Sequence, residues 1–284
     1  MSVHEAGEFT IALKSNDPMT VRRLGFGAMR ITGPGIWGDP ADKETAKRVL
    51  RRAVELGVTF IDTADSYGPF VSEDLIREAL HPYDGLVIAT KGGLTRQGPD
   101  EWAAVGRPEY LRQCVQMSLR RLGLERIDLW QLHRIDEAVP REDQFGVIAQ
   151  MQKEGLIRHV GLSEVSVGDV RHAQQYFPVV SVQNLYNVGN RQSEALLAHC
   201  QEHGIGFIPW FPLGNRDLLQ PESPVFKVAE REGCTPSQVA VAWLLQHSPV
   251  TLPIPGTGDM AHLEENCVVV RLSDESMTEL SALG

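Results

Sequence analysis

The chain has 284 residues, 42% of them hydrophobic, so it is long enough to bury a large core. Its formal net charge of -10 and the lack of a Lys/Arg-rich run argue against a nucleic-acid groove or an anionic membrane surface as a partner. No apolar run approaches the roughly 20 residues that cross a bilayer, the polar start is unlike a signal peptide, and four widely separated cysteines argue against a disulfide framework, so a cytoplasmic protein is expected.

A β-hairpin is predicted first, with strands at 9–13 and 20–24 around the turn-forming residues 15–18. A short apolar strand followed by an amphipathic helix then recurs along the chain. The first helix is expected to be capped by Asp39, with Pro40 in its first position, and the second by Ser72. The eight strands are predicted at 25–29, 58–61, 86–90, 127–132, 159–162, 179–182, 205–209 and 250–254, and the later helices at 108–123, 143–155, 167–176, 192–203, 225–232, 236–246 and 274–280.

Strands this short and apolar, alternating with helices, require a parallel sheet that is covered on both faces. Eight of them in a chain of this length favour a closed barrel over an open sheet. No linker or break in composition divides the chain. We therefore predict an α/β protein with one domain, 1–284, folded as a (β/α)8 TIM barrel with an N-terminal β-hairpin and an extra C-terminal helix.

Polar side chains stand at the carboxyl ends of the predicted strands, where barrels of this kind place their active sites. Four of them, from three neighbouring strands, suit the reduction of a carbonyl group. Tyr67 is a poor acid on its own, with a reference pKa near 10, but the ammonium of Lys91 would stabilise its phenolate. Asp62 would keep Lys91 charged and oriented, and His133 would donate a hydrogen bond to the substrate oxygen.

These residues, with several further motifs, give the chain a resemblance to the aldo-keto reductases over essentially its full length. The loop 33–38 and the ending of the chain are similar to a bacterial branch that includes pyridoxal reductases. The matching segments are 62–68, Lys91, 132–133, 161–163, 212–214, 254–257 and 265–266.

The resemblance implies a barrel that binds NADPH without a Rossmann domain and reduces an aldehyde or ketone to an alcohol. It implies Tyr67 as the general acid, Lys91 and Asp62 as the pair that tunes it, and His133 as the residue that orients the carbonyl. Ser163 and Gln183 would hold the carboxamide, and Trp210 would stack on the nicotinamide. The remaining cofactor contacts would come from Gly27, Ala28, Met29, Arg30, Asp62, Phe211, Pro212, Leu213, Gly214, Gly256, Thr257, His262, Glu265 and Asn266.

The chain departs from the family pattern at two places. Glu164 stands where many members have asparagine beside the carboxamide. Gly256 and His262 stand where many have the lysine and arginine that bind the 2′-phosphate. Backbone N–H groups at 256–258, at the predicted opening of a helix, could hold that phosphate, although Asp259 opposes it. NADPH is the preferred cofactor, and use of NADH stays open.

The substrate pocket is expected to include Met29, Tyr67 and His133. Aromatic walls would come from Trp37, Phe70 and Trp102. Arg134 could meet an anionic substrate or pair with Asp136. The substrate itself stays open among pyridoxal, sugar-derived aldehydes, oxidised toxins and small dicarbonyls, as does the oligomeric state.

Two other patterns point to different functions. The glycines at 33, 35 and 38 match a dinucleotide fingerprint, but Asp39 and Pro40 separate them from the predicted helix, so a substrate loop is favoured. The run 199–203 matches the H-x-x-E-H pattern of zinc proteases, without an evident third ligand, and no metal is expected. A non-catalytic cofactor-binding sensor or auxiliary subunit is the alternative to an enzyme, and the complete set of four catalytic residues argues against it.

Overall fold

The computed structural model describes residues 2–214 and 216–283. Two antiparallel strands, β1 (Glu8–Ile11) and β2 (Met19–Arg22), come first and pair with Phe9 opposite Val21. A seven-stranded sheet follows in which all neighbours are parallel. Its strands, in spatial order, are β3 (Phe26–Gly27), β4 (Phe60–Asp62), β5 (Val87–Gly92), β8 (Ile127–Leu132), β9 (Ile157–Ser163), β10 (Val179–Leu185) and β11 (Gly206–Trp210).

A small hairpin, β6 (Leu94–Gly98) and β7 (Glu101–Ala104), follows β5. This hairpin was not predicted, because Leu94 and Trp102 are its only large apolar residues and they form no period-2 apolar pattern. Ten α-helices lie in the described part of the chain. They are α1 (Lys43–Glu55), α2 (Val71–Leu80), α3 (Pro108–Leu122), α4 (Arg141–Lys153), α5 (Val167–Ala173), α6 (Glu194–His203), α7 (Pro224–Glu232), α8 (Pro236–His247), α9 (Met260–Asn266) and α10 (Asp274–Ser281), with short 3-10 helices at Val3–Ala6, Ala28–Ile31, Pro34–Ile36 and Arg216–Leu219.

The two ends of the parallel sheet are connected through the segment 250–254. Phe207 of β11 donates its N–H to Val250 O (2.9 Å) and accepts from Leu252 N (2.7 Å). On the other side, Gly25 N donates to Pro253 O (3.0 Å), immediately before β3. Only one β-bridge, at Thr251, is present here, so the predicted strand at 250–254 is not formed as a regular strand. Proline at 253 lacks the N–H that a continuous ladder requires.

Other predicted boundaries also shift. The strand predicted at 25–29 ends at Gly27 and continues as the 3-10 helix Ala28–Ile31. The N-cap of α1 is Asp42, whose side chain accepts from Thr45 N (3.0 Å), whereas Asp39 forms an ion pair with Lys43. Ser72 lies inside α2 rather than at its cap. Helices α4 and α6 begin at Arg141 and Glu194, two residues from the predicted starts.

The hairpin β1–β2 covers one end of the sheet. Ile11 and Met19 of the hairpin belong to the same buried cluster as Phe60, Leu129 and Ile208, which lie on strands of the sheet. Helices pack over the outer face, with Trp130 and Trp243 fully buried between helices and strands. Polar side chains therefore collect at the opposite, carboxyl ends of the strands. In the described part of the chain, no helix combines the length and apolarity that membrane crossing requires.

Candidate active site

Lys91 is the centre of the polar cluster at the carboxyl ends of the strands. Its side chain is fully buried, and its Nζ donates to Asp62 Oδ1 (2.6 Å), to Thr63 O (2.9 Å) and to the Tyr67 hydroxyl (3.1 Å). An ammonium has three N–H donors, so all three are used. Parallel pairing explains the meeting, because Asp62 ends β4 beside Ala89 of β5, two residues before Lys91.

The carboxylate of Asp62 has further partners. Its Oδ2 accepts from Gln131 Nε2 (3.1 Å) and from Gln183 Nε2 (2.9 Å). Both glutamines are buried, on β8 and β10. Gln131 was not predicted as a site residue, although a glutamine near the end of an otherwise mostly apolar strand could have indicated it. Gln183 was assigned to a carboxamide, and its amide N–H here supports Asp62 while its Oε1 has no partner among the described hydrogen bonds.

The titrating groups respond to burial and to one another. Burial alone would lower the pKa of Lys91, but attraction to Asp62 and Tyr67 outweighs it, and the net direction is upward. Burial raises the pKa of Tyr67 more than Lys91 lowers it. The predicted effect of Lys91 on the pKa of Tyr67 therefore has the correct direction, but burial outweighs it. Burial and the charges of Lys91 and Arg134 hold the pKa of His133 well below its usual range, so this imidazole is neutral at pH 7.

Two aromatic rings pack against the ring of Tyr67. The ring of Tyr67 meets His133 edge-on at 5.9 Å between centroids and Trp102 at 6.5 Å. His133 Nδ1 is 3.2 Å from Ser66 Oγ, within hydrogen-bond distance. Phe70, also predicted as a pocket wall, is half-exposed and packs against the guanidinium of Arg121, and none of its described contacts is with the rings of Tyr67, Trp102 or His133.

Arg96 connects the loops around this pocket. Its five N–H donors bind five backbone carbonyls, and its guanidinium carbon lies 3.7 Å from the ring centroid of Trp102 and 5.7 Å from that of Trp37. Arginine is otherwise seldom buried, and this one is only 9% exposed. The accepting oxygens are those of Gly35 (2.8 Å), Ile36 (2.5 Å), Ser66 (3.1 Å), Gly98 (3.1 Å) and Glu101 (3.1 Å). Nothing in the local sequence pattern indicated this role.

A second cluster of polar side chains lies at the same edge, where the chain leaves β8 and β9. Arg134 Nη1 donates to His133 O (2.6 Å) and to Ser163 Oγ (2.9 Å). Glu164, at a positive φ of 55°, accepts from Leu185 N (2.7 Å) and from Trp210 Nε1 (2.6 Å) with Oε1. Glu164 therefore fastens the indole of Trp210.

The alternative pairing of Arg134 with Asp136 is wrong. Asp136 instead accepts from Gly106 N (2.9 Å) and Ala138 N (2.9 Å).

The segment predicted to bind the adenosine end leads into helix α9. Helix α9 begins at Met260, and the side chain of Asp259 caps it by accepting from His262 N (2.9 Å). The predicted helix opening at 256–258 is therefore wrong. Glu265 accepts from Thr235 Oγ1 (2.6 Å), and Asn266 is buried nearby on α9. Thr257 Oγ1 accepts from Asp259 N (3.0 Å).

The backbone of Gly256 approaches that of Gly27 closely, and both are predicted cofactor positions. A Cβ at Gly256 would lie 2.1 Å from Gly27 O, so only glycine fits there. Phe211 and Gly214 both have positive φ, and Asn187 Nδ2 donates to Phe211 O (3.1 Å). The other predicted residues of these segments lie in the same turns: Ala28, Met29 and Arg30 in the 3-10 helix after β3, and Pro212 and Leu213 after β11.

The H-x-x-E-H pattern lies on α6. One potential ligand atom from each of His199, Glu202 and His203 falls within 4.8 Å of the others, and His203 Nδ1 is 2.9 Å from His199 O. Glu202 and His203 are exposed. The expectation that no metal binds here stays a prediction.

Known proteins resemble this chain in sequence and in structure. A family model described as "Aldo/keto reductase family" matches residues 23–284. An uncharacterized oxidoreductase of Schizosaccharomyces pombe is 58% identical over 94% of this chain and 88% of its own. Pyridoxine 4-dehydrogenase of Escherichia coli is 43% identical, with 97% of each chain covered. An aldo/keto reductase of Klebsiella pneumoniae, solved with NADP and acetate, is 25% identical with a TM-score of 0.77, covering 93% of this chain and 92% of that one.

Proposed function

Because this chain belongs to the aldo/keto reductase family, we propose that it reduces an aldehyde or ketone to an alcohol, with Tyr67 as the proton donor. One observation carries the proposal: the buried Lys91 ammonium bonds both the Tyr67 hydroxyl and the Asp62 carboxylate. A phenol so placed can give up its proton, because the phenolate left behind faces a permanent positive charge.

The proposal includes a single domain in which the sheet closes as a (β/α)8 barrel. The hydrogen bonds of the segment 250–254 to both Phe207 and Gly25 support closure. The pairing of β1 with β2 supports the predicted N-terminal β-hairpin.

Each side chain has a distinct part in the proposed reaction. A bound nicotinamide cofactor supplies the hydride. His133, being neutral, can donate one N–H to the carbonyl oxygen and orient it. Burial keeps Tyr67 protonated until negative charge develops on that oxygen, and Lys91 then stabilises the phenolate. Asp62, supported by Gln131 and Gln183, holds Lys91 in place.

The cofactor is proposed to be NADPH, with NADH as an alternative. Ser163 and Gln183 would hold the carboxamide, since both lie at the carboxyl ends of their strands and Gln183 Oε1 is unengaged. Trp210, fixed by Glu164, would present its ring to the nicotinamide. The close approach of Gly256 to Gly27 brings the two predicted cofactor segments at 27–30 and 256–257 side by side. The NADP bound to the Klebsiella pneumoniae relative supports this choice.

Pyridoxal, with pyridoxine as the product, is the proposed first substrate to test. The support is the likeness to pyridoxine 4-dehydrogenase over the full length of both chains. The aromatic rings of Trp102 and His133 beside Tyr67 would suit a planar ring.

The decisive experiment compares the wild type with Tyr67→Phe, using NADPH or NADH and a carbonyl panel that includes pyridoxal. The variant should lose kcat by about 100- to 10,000-fold, the usual contribution of a general acid, and still bind NADPH. Tyr176→Phe serves as the control, since its hydroxyl has no described hydrogen bond. A Tyr67→Phe variant with wild-type kcat would contradict the assignment. A wild type that binds NADPH but turns over nothing in the panel would favour the sensor.

A further inference from the structure

Arg134 is a cation at the pocket that the proposed reaction does not use. Its Nη1 is held by His133 O (2.6 Å) and Ser163 Oγ (2.9 Å). The Nε and Nη2 atoms have no hydrogen-bond partner in the part of the chain that the structure describes, and neither is fully buried. These two atoms form one edge of the guanidinium, with parallel N–H bonds that match the two oxygens of a carboxylate.

The charge of Arg134 is also not neutralised by contact. Among residues 2–214 and 216–283, no carboxylate forms an ion pair with it. Glu164 attracts Arg134, but its Oε1 is already committed to Leu185 N and Trp210 Nε1. Lys91, the neighbouring cation, is matched by Asp62 at 2.6 Å. Within the described residues, Arg134 therefore has neither a bonded anion nor a partner for two of its donor atoms, whereas the donors of Arg96, the other buried guanidinium here, are all used by backbone carbonyls.

The surroundings make that charge costly to leave unpaired. Burial lowers the pKa of Arg134, while Glu164 and Tyr67 oppose the shift. A partly desolvated guanidinium gains more from an anion than one in water does. Arg134 bonds the carbonyl of His133, whose ring centroid lies 5.9 Å from that of Tyr67, so an anion at Arg134 and a carbonyl at Tyr67 can belong to one small molecule.

We propose that the Nε–Nη2 edge of Arg134 binds a carboxylate carried by the carbonyl substrate, so that the enzyme prefers acidic aldehydes and ketones to neutral ones of the same size. Pyridoxal, which carries no carboxylate, would then be a weaker substrate than a carboxylate-bearing aldehyde of similar size. The inference rests on the proposed carbonyl reduction and adds the class of substrate. Hydride transfer leaves the carboxylate unchanged, so the alcohol product would keep the same contact.

A matched pair of substrates tests the inference: 3- and 4-carboxybenzaldehyde against their methyl esters, which have the same rings without the charge. The wild type should prefer the acids. Arg134→Met should lower kcat/KM for the acids by about 10- to 100-fold, as for the loss of a charged hydrogen bond, mainly through KM, and leave the esters nearly unchanged. Arg134→Lys should keep part of the preference. Arg112→Met, which removes an exposed pair with Glu154, should change nothing.

Several outcomes would overturn the inference. An unchanged acid-to-ester ratio in Arg134→Met is one. An equal loss for acids and esters with a raised KM for NADPH is another, since Arg134 would then act on the cofactor through Ser163. Turnover of the esters that Tyr67→Phe abolishes would show that the proposed function stands even where the preference for acids fails. Should no aldehyde turn over, equal affinities of the holoenzyme for 4-(hydroxymethyl)benzoate and its methyl ester by calorimetry would still refute the carboxylate site.

Discussion

Asp62→Asn is the change that most directly tests the buried network. Asp62 and Lys91 are 2% and 0% exposed, and the carboxylate accepts from Lys91 Nζ, Gln131 Nε2 and Gln183 Nε2. Asparagine keeps the size but removes the charge, and its NH2 group would face donors instead of acceptors. The ammonium of Lys91 would then be buried with only the Thr63 carbonyl and the Tyr67 hydroxyl as partners.

The expected cost is about 3–5 kcal/mol at pH 7, the usual penalty for removing one partner of a buried ion pair. That is a large part of a typical stability of about 5–15 kcal/mol. The matched control is Glu154→Gln, whose partner Arg112 is 2.6 Å away on the surface, at 38% and 32% exposure. Exposed pairs contribute about 1 kcal/mol or less.

The loss of stability in Asp62→Asn should depend on pH through the pKa of Lys91. In the wild type the folded pKa of Lys91 lies above the unfolded value of about 10.4, so the contact stabilises the fold fully below about pH 10 and is lost as the pH rises further. In Asp62→Asn, burial dominates and the folded pKa of Lys91 falls below the unfolded value. The deficit of the variant should therefore shrink as the pH rises from 7 to 10.

Urea unfolding of the wild type, Asp62→Asn and Glu154→Gln at pH 7, 8.5 and 10 measures this. A deficit below about 1 kcal/mol for Asp62→Asn would refute the reasoning. A deficit that is the same at pH 7 and pH 10 would also refute it, because some other group would then stabilise the charged form of Lys91 in the variant.

Two further predictions use other buried groups. Burial, with repulsion from Glu73, raises the pKa of Asp65 to about 7, so the folded state loses stability as the pH rises from about 4 to 7, by up to roughly 4 kcal/mol. In urea unfolding, the stability of Asp65→Asn relative to that of the wild type should therefore increase from pH 4 to pH 8. A difference that does not change with pH would show that the pKa of Asp65 is not raised in the folded state. Arg96→Lys keeps the charge but cannot bind five carbonyls, so KM for aromatic carbonyls should rise about 10-fold or more, as for one lost charged hydrogen bond. The KM for NADPH should not change, and an equal rise for both would mean that Arg96 supports the fold rather than the pocket wall.

The sequence by itself determined the catalytic candidates and most of the strands. Asp62, Lys91 and His133 could be found because each lies at or directly after the carboxyl end of an apolar run, and parallel strands bring such ends to one edge. The period of the apolar residues also located the helices, with errors of up to about three residues at their ends.

Only the tertiary structure decided how the buried polar groups find partners. Gln183 reaches Asp62 across 121 positions in the chain, and Arg96 reaches Ile36 across 60. The capping role passed from Asp39 to Asp42, because the side chain that reaches a free helix N–H depends on where the chain turns. Local periodicity records which residues are apolar. It does not record which distant donor satisfies a buried acceptor, since that depends on the three-dimensional arrangement of the strands.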